Sequence, residues 1–447
     1  MGVFEPDLVM SIEREGNKRE NTIEQTISQG TAFFEEDNTL FAAGVEGLAP
    51  TGGRYRVGWS ERDISNNLRI RPTDPFRREF QGFLGVTLTQ PLLKDFGLNS
   101  TLARLRLAKE DEKIARQDFR RQMMLVLGAV ETAYWDLYVA QERLRLRIES
   151  ADAAQKLLGE NEERVREGKM AEIELIEAAA GLAQRRSLVS EARQRHFEAI
   201  GRLKTLFAQP LEANDWGVRA TDVVPEAGPL PQIDEALGAA MTLHPEYLVR
   251  VHRAEQEGVR LAYAKNQRWP QVDLTASYGR NGLGSGLSSA WGDITDKDYD
   301  SWSVGLEVRV PISLGVRRRN EYRASASKRR EALLQVKAAE VEIANNLYGA
   351  HRKVESLRDV AANYQSVADS ADRLLRNERT RLTEGKSDSR RLLEVENQFA
   401  DAAIGALEAR GEHEKALIEF ELSTGRLLKS RGVDLLDDGS VPQFSAR

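Results

Sequence analysis

Five histidines, His196, His244, His252, His351 and His413, are the side chains of this 447-residue chain best suited to acid–base or metal chemistry at neutral pH. No two of them stand in an HxxxH or HExxH arrangement, so zinc hydrolysis has no ligand pair to start from, and neither metal nor cofactor is expected. The chain has no cysteine, which removes disulfides and thiolate metal sites and leaves the compartment open. The glycine-rich GLGSG at 282–286 falls between strand patterns rather than ahead of a helix, which weakens a phosphate-loop reading. Tyr134, Trp135 and Tyr138 are spaced as a helical packing face rather than a ligand box. With no nucleophile beside a base, the sequence predicts a protein that is not an enzyme.

The totals point to long helices. Charged residues make up 30% of the chain and prolines number only 13. The 64 basic and 70 acidic residues leave a net charge of −6, so no positive field exists to hold nucleic acid. No stretch is read as the 18 to 20 apolar residues of a membrane-spanning helix, the richest run being MMLVLGAV at 123–130. That leaves a membrane β-barrel open, because its strands need only about 9 to 11 alternating residues. MGVFEPDLVM at the start has neither the basic nor the apolar segment of a secretory signal.

The chain repeats itself. LTQPLLKDFG at 88–97 and VRVPISLG at 308–315 each turn a strand pattern into a helical one, at Pro91 and Pro311. RVREGKMAEIELIEA at 164–178 matches RLTEGKSDSRRLLEV at 381–395, and the distance from proline to shared glycine is nearly the same in both copies. In the second copy Val272, Leu274, Ala276 and Tyr278 alternate with polar residues, and Trp302, Val304, Leu306, Val308 and Val310 do the same after a long polar loop. The first copy carries four such patterns: Leu8–Met10–Ile12, Phe41–Ala43–Val45, Tyr55–Val57–Trp59 and Leu84–Val86–Leu88. PTGG at 50–53 reads as a tight turn, while the connections over 15–38 and 65–79 read as long and polar. The opposite faces carry Arg54, Arg56, Asp273, Glu307 and Arg309, which should meet water.

Past each proline the period changes. Val130, Tyr134, Leu137, Gln141, Leu144, Ile148 and Ala151 step by four and three, the seam of a coiled coil. The patterns predict helices over about 98–165, 171–207, 233–268, 316–382 and 388–425, with Gly168 a left-handed cap. By the logic of the repeat, a further return helix of roughly 35 residues is expected ahead of the first strand, outside this chain. Six strands are too few to close a membrane barrel, whose minimum is about eight, so several chains would have to share one.

These features resemble the TolC-like outer-membrane efflux proteins. The resemblance rests on LTQPLLKDFG, AYWDLYVAQERL at 133–144, HPEYLVRVHRAEQEGVRLAYAKNQRWPQVDLTASYG at 244–279 and the two EGK reversals, and covers all but the tail after about 430. It implies an α+β membrane protein, a homotrimer whose shared β-barrel is continued by a periplasmic α-helical barrel, with two repeats per chain. Residues 1–91 would form first-repeat strands, 92–208 a helical hairpin, 209–232 a linker and 233–268 a return helix. Residues 269–312 would form the second strand pair, 313–428 the second helical hairpin and 429–447 a tail.

The resemblance further implies an outer-membrane channel of a tripartite efflux or type I secretion system, extending into the periplasm. Its partners would be an inner-membrane transporter, a periplasmic adaptor and outer-membrane lipid. The adaptor would dock at the tips, Glu167-Gly168-Lys169 and Glu384-Gly385-Lys386, where only the glycine of the family's tip motif is kept. Glu174, Glu177, Arg391 and Glu394 fall at the family's pore entrance, Arg391 departing from its acidic pattern and expected to pair with a neighbouring carboxylate. Trp59, Phe80, Tyr278 and Trp302 are expected at the membrane interface. Three chains would give 18 strands, or 12 if the PTGG hairpin folds aside. The competing reading is a soluble coiled-coil scaffold with a small β domain.

Overall fold

The computed structural model describes residues 4–67, 78–212, 214–221, 230–296, 298–310 and 315–433. Pro311, the tail beyond 433, and parts of the 65–79 connection and the 209–232 linker lie outside the described residues. Within them the chain is α+β and divides into two compact units, residues 1–113 with 252–334 and residues 114–251 with 335–447.

The first unit holds one antiparallel sheet whose strand order is the chain order: β1 (Asp7–Glu20), β2 (Phe33–Leu48), β3 (Arg54–Asn66), β4 (Glu79–Pro91), β5 (Gln271–Gly284) and β6 (Asp300–Arg309). The six alternating patterns are these six strands. The tight turn falls at PTGG, where the Ala49 N–H donates to the Gly53 carbonyl and the Gly52 N–H to the Ala49 carbonyl. The expected loop over 15–38 is corrected. Strand pairing continues to Glu20 and resumes at Phe33, held by Arg14–Asp37 and Lys18–Glu35 ion pairs, with only α1 (Ile23–Gln29) between. The loop after β5 likewise contains a helix, α7 (Leu287–Asp296), whose buried Ala290 and Ile294 pack over Gly82 and Gly282.

After β4 come α2 (Leu98–Thr101) and α3 (Ala103–Arg166), then α4 (Glu172–Leu206), α5 (Ile233–Leu243), α6 (Pro245–Asn266), α8 (Val316–Thr383), α9 (Ser389–Thr424) and α10 (Leu427–Ser430). At 1.5 Å per residue the 64 residues of α3 span about 96 Å. The single helix expected over 233–268 is corrected to two. Pro245 has no N–H to give and disfavours helical backbone at His244, which is extended at φ −71°, ψ 117°. The expected lack of a stretch apolar enough to span a membrane is also corrected: α3 contains an 18-residue window of mean hydropathy 1.2. Within α3, Met124 and Leu137 are buried in the helical unit, Met124 against Leu427 and Leu428 and Leu137 against Ala199 and Ile200.

The helical unit is held by small apolar clusters. Ala154 and Leu157 of α3, Leu182 of α4, Leu375 of α8 and Leu392 and Val395 of α9 form one of them. Another joins α5, α8 and α9 through Ala236, Ala240, Leu347 and Phe420. Full burial of each Leu, Val or Phe among them is worth about 1.5–3 kcal/mol, which holds these charged helices in place.

Candidate functional site

In an antiparallel pair, residues directly opposite each other share a face. One row runs across every strand: Leu8, Val45, Val57, Val86, Tyr278 and Trp302. All six are exposed, Trp302 to 73%. Neighbouring rows on that face add Met10, Ala43, Trp59 and Leu84 on one side, and Leu88, Ala276 and Val304 on the other. The opposite face carries Arg54, Arg56, Thr87, Thr275, Ser277 and Glu307. One face thus carries an exposed apolar band crossing all six strands, bounded on one side by the Arg280–Asp300 pair and by α7 over Trp59, and the other face is polar. An exposed apolar surface of this extent marks a contact with lipid or protein.

At one level of the polar face four glycines, Gly44, Gly58, Gly85 and Gly279, stand side by side. The ring of Phe83 occupies the space that a Cβ on Gly85 or Gly279 would need, so the aromatic ring covers backbone the glycines leave bare.

The four aromatics expected at an interface all lie on the apolar face. Tyr278 and Trp302 share a row, Trp59 is in the next row, and Phe80 sits further along, opposite Gly284. Trp59 is covered by Phe41, 5.1 Å between ring centroids, and by Trp291 of α7 at 5.6 Å. Trp269, 56% exposed just ahead of the opposite end of β5, stands outside any alternating run and so carries no strand signal in the sequence.

That end of the sheet is where the helices leave. Pro91 is the last residue of β4 and lies opposite Asp273. Inter-strand bonding outlasts it, since the Leu92 N–H donates to Val272 and the Lys94 N–H to Pro270. The change to helical bonding is made at Asp95 and Gly97, both with positive φ. Asp95 tolerates φ 64° because its N–H donates to Asn266 Oδ1 at 2.7 Å and its carboxylate accepts from Gln267.

The helix reversals are alike in both repeats. Gly168 and Gly385 both have φ 72°. Lys169 donates to the Arg164 carbonyl and Lys386 to the Arg381 carbonyl, each at 2.8 Å, the Schellman closure that satisfies the last helical carbonyls. Glu167–Lys169 and Glu384–Lys386 ion pairs flank the two glycines. The helices that follow differ: Asp388 caps α9 by accepting from the Arg391 N–H at 2.7 Å, whereas Ala171 gives α4 no side-chain cap.

Glu174 and Glu177 line a cavity of about 540 Å³ together with Asp388, Arg390 and Leu393. Arg391 and Glu394 pair with each other at 2.8 Å along α9. Beneath this surface Arg185 is buried and donates to Ser150 Oγ, the Gly181 carbonyl and, at 2.9 Å, the Leu393 carbonyl, which ties α4 to α3 and α9. Burial lowers the basicity of the Arg185 guanidinium. Of the five histidines, His244 and His196 are pushed down chiefly by burial, with Arg120 and Arg219 adding to it. Among the described residues no group of three or more His, Asp or Glu side chains is arranged to hold a metal ion.

The fold is shared with known proteins. The family model described as Outer membrane efflux protein matches residues 55–209 and 249–426. The match begins one residue into β3, so β1 and β2 precede it. The proteases secretion protein PrtF of Dickeya chrysanthemi is 23% identical over 418 residues, covering 89% of this chain and 84% of that one. The outer membrane efflux protein BepC of Brucella suis is 24% identical over 358 residues, 77% of this chain and 72% of that one. Among solved structures, the outer-membrane channel OprN has a TM-score of 0.63 at 16% identity, covering 94% of this chain and 81% of that one. VceC of Vibrio cholerae has a TM-score of 0.61 at 14% identity, covering 95% and 87%.

Proposed function

The chain belongs to the outer membrane efflux protein family and is an outer-membrane channel for efflux or secretion, reaching into the periplasm; from that premise we propose that three copies line one water-filled conduit. The observation that carries the proposal is the apolar band crossing all six strands while β1 and β6 each keep one unpaired edge. Open edges in hydrocarbon leave backbone groups unbonded at several kcal/mol each, and pairing β6 of one copy with β1 of the next removes them. Because β2 and β3 stand inside the sheet rather than aside from it, closure by three copies gives 18 strands. Tyr278 and Trp302 then meet the membrane interface on one side, and the polar faces line the lumen.

The helices continue the conduit, and the two glycine reversals form its tips, where a periplasmic adaptor engages Glu167, Gly168, Lys169, Glu384, Gly385 and Lys386. Glu174, Glu177, Arg391 and Glu394 guard the entrance, and an inner-membrane transporter delivers the substrate. BepC is by its name an efflux protein and PrtF a secretion protein for proteases, so both efflux and protein secretion are open to this chain. A soluble scaffold would have no reason to leave the apolar band bare. The test is image reconstruction of the detergent-solubilised protein: threefold particles with an 18-strand ring support the proposal, and a single-chain particle refutes it.

A further inference from the structure

A cavity of about 790 Å³ sits where β4 gives way to α2 and α3 and where α6 gives way to β5. Its walls hold four cations, Arg54, Lys94, Arg104 and Arg260, and three carboxylates, Asp95, Asp273 and Glu321. Each carboxylate accepts hydrogen bonds, and Asp95 and Glu321 also have a cation beside them, so the four cations outnumber the three carboxylates by one. Asp95 accepts from Gln267 and Ser100 and stands 3.6 Å from Lys94. Asp273, buried, accepts from Gln271 at 2.6 Å, and Glu321 accepts from Arg317 at 2.8 Å. Arg260 pairs with Glu257. The exposed guanidiniums of Arg54 and Arg104 make neither an ion pair nor a hydrogen bond among the described residues.

The cavity is held in shape from behind. The PTGG turn seats on the strand-to-helix switch, with the Gly97 N–H donating to the Thr51 carbonyl at 2.9 Å. A Cβ on Gly52, at φ 92°, would collide with the Asp95 carbonyl, so only glycine lets the two segments meet and fixes Arg54 at the start of β3. Arg54, Thr89 and Asp273 belong to the polar face of the sheet, so these walls stand on the side away from the apolar band.

We propose that this cavity is an oxyanion-binding niche in the tunnel wall, in which Arg54 and Arg104 hold a phosphate, sulfate or carboxylate group of a solute in transit. The proposal rests on the shared-conduit reading, which turns the polar face toward the lumen. Guanidinium forks match such groups in bidentate geometry. A partly enclosed site with a net positive lining focuses that field on an entering anion. Three copies place six guanidiniums without a direct ion-pair partner around the tunnel, a ring of the kind that favours anions over cations in pores.

Channels of the full-length trimer in planar bilayers, in dilute potassium chloride, test this with inorganic phosphate as the probe. Phosphate should reduce the native current. Arg54→Gln combined with Arg104→Gln should raise the half-blocking concentration roughly tenfold, the scale of one charge-assisted hydrogen bond. The reversal potential in a chloride gradient should move toward cation preference, and the Arg54→Lys, Arg104→Lys pair should retain most of the native response. Arg104→Gln alone, on an exposed side chain, is read in the same way should the double variant not assemble. Native channels insensitive to phosphate, or a glutamine variant that responds like the native protein, would overturn the niche while leaving the conduit intact. A native protein that opens no channel would refute the conduit itself.

Discussion

Gly168 and Gly385, one in each repeat, share a φ of 72°, and each is followed by a lysine that bonds back to the carbonyl five residues earlier. An added Cβ at either position would find no atom within 4 Å. The requirement for glycine is therefore one of backbone strain and not of space. Replacing either by alanine should cost about 1 kcal/mol, and asparagine should cost less. Thermal unfolding of the detergent-solubilised protein measures both; an unchanged midpoint for both alanine variants would contradict this account of the reversals.

Arg185 should matter to the helical unit far more than its sequence neighbour. Arg185→Ala removes the charge-assisted bonds to the Leu393 and Gly181 carbonyls and to Ser150 and leaves a void between α3, α4 and α9, so a loss of about 2–3 kcal/mol is expected. Arg186, exposed and with its side chain bonded among the described residues to Gln155 alone, should tolerate alanine within about 0.5 kcal/mol. Denaturant midpoints of the two variants compare them directly, and equal effects would contradict the assignment.

Much of this architecture was legible in the sequence because period-two and period-3.5 patterns report which face is apolar regardless of what covers it. That is why Val272 to Tyr278 and Val130 to Ala151 mark a strand and a helix. The helix Leu287–Asp296 was not legible, since ten residues rich in Gly, Ser and Asp read as loop and only its seat on Gly82 and Gly282 makes it worth folding. The extension of the first hairpin to Glu20 was hidden for a similar reason. Cross-strand pairs such as Arg14–Asp37 and Lys18–Glu35 support it, and residues polar on both faces show no alternation. The break at Pro245 carried a sequence signal, a proline within a helical run, that the amphipathic pattern on either side masked. Of the candidate site, the two reversals could be read from matching glycines, but Arg185 and the wall around Arg54 come from segments far apart in the chain, which no local spacing reports.

Acid should weaken the helical unit through His244 and His196. Burial depresses both, so the folded state holds them neutral while the unfolded chain takes up protons near pH 6.5. Stability from these groups is present above about pH 6.5 and is lost as the pH falls toward their lower folded-state values. His244→Gln should therefore flatten the fall in thermal midpoint between neutral and mildly acidic buffer. The same slope in native and variant protein would contradict this.

Arg391→Glu tests the entrance. The substitution breaks the 2.8 Å pair with Glu394, worth about 0.3–0.5 kcal/mol on a helix surface, so folding should barely change. Single-channel conductance in dilute salt should rise, and the difference should shrink in molar salt, where the screening length falls to about 3 Å. A variant indistinguishable from native protein at low salt would contradict the placement of Arg391 at the constriction.

The sharing of one conduit by several chains is tested most directly by the mass of the full-length protein in mild detergent, measured with the detergent contribution subtracted. Shared closure through β1 and β6 predicts three times the mass of one chain, stable to dilution. A monodisperse single-chain species that needs no detergent to stay in solution would contradict it.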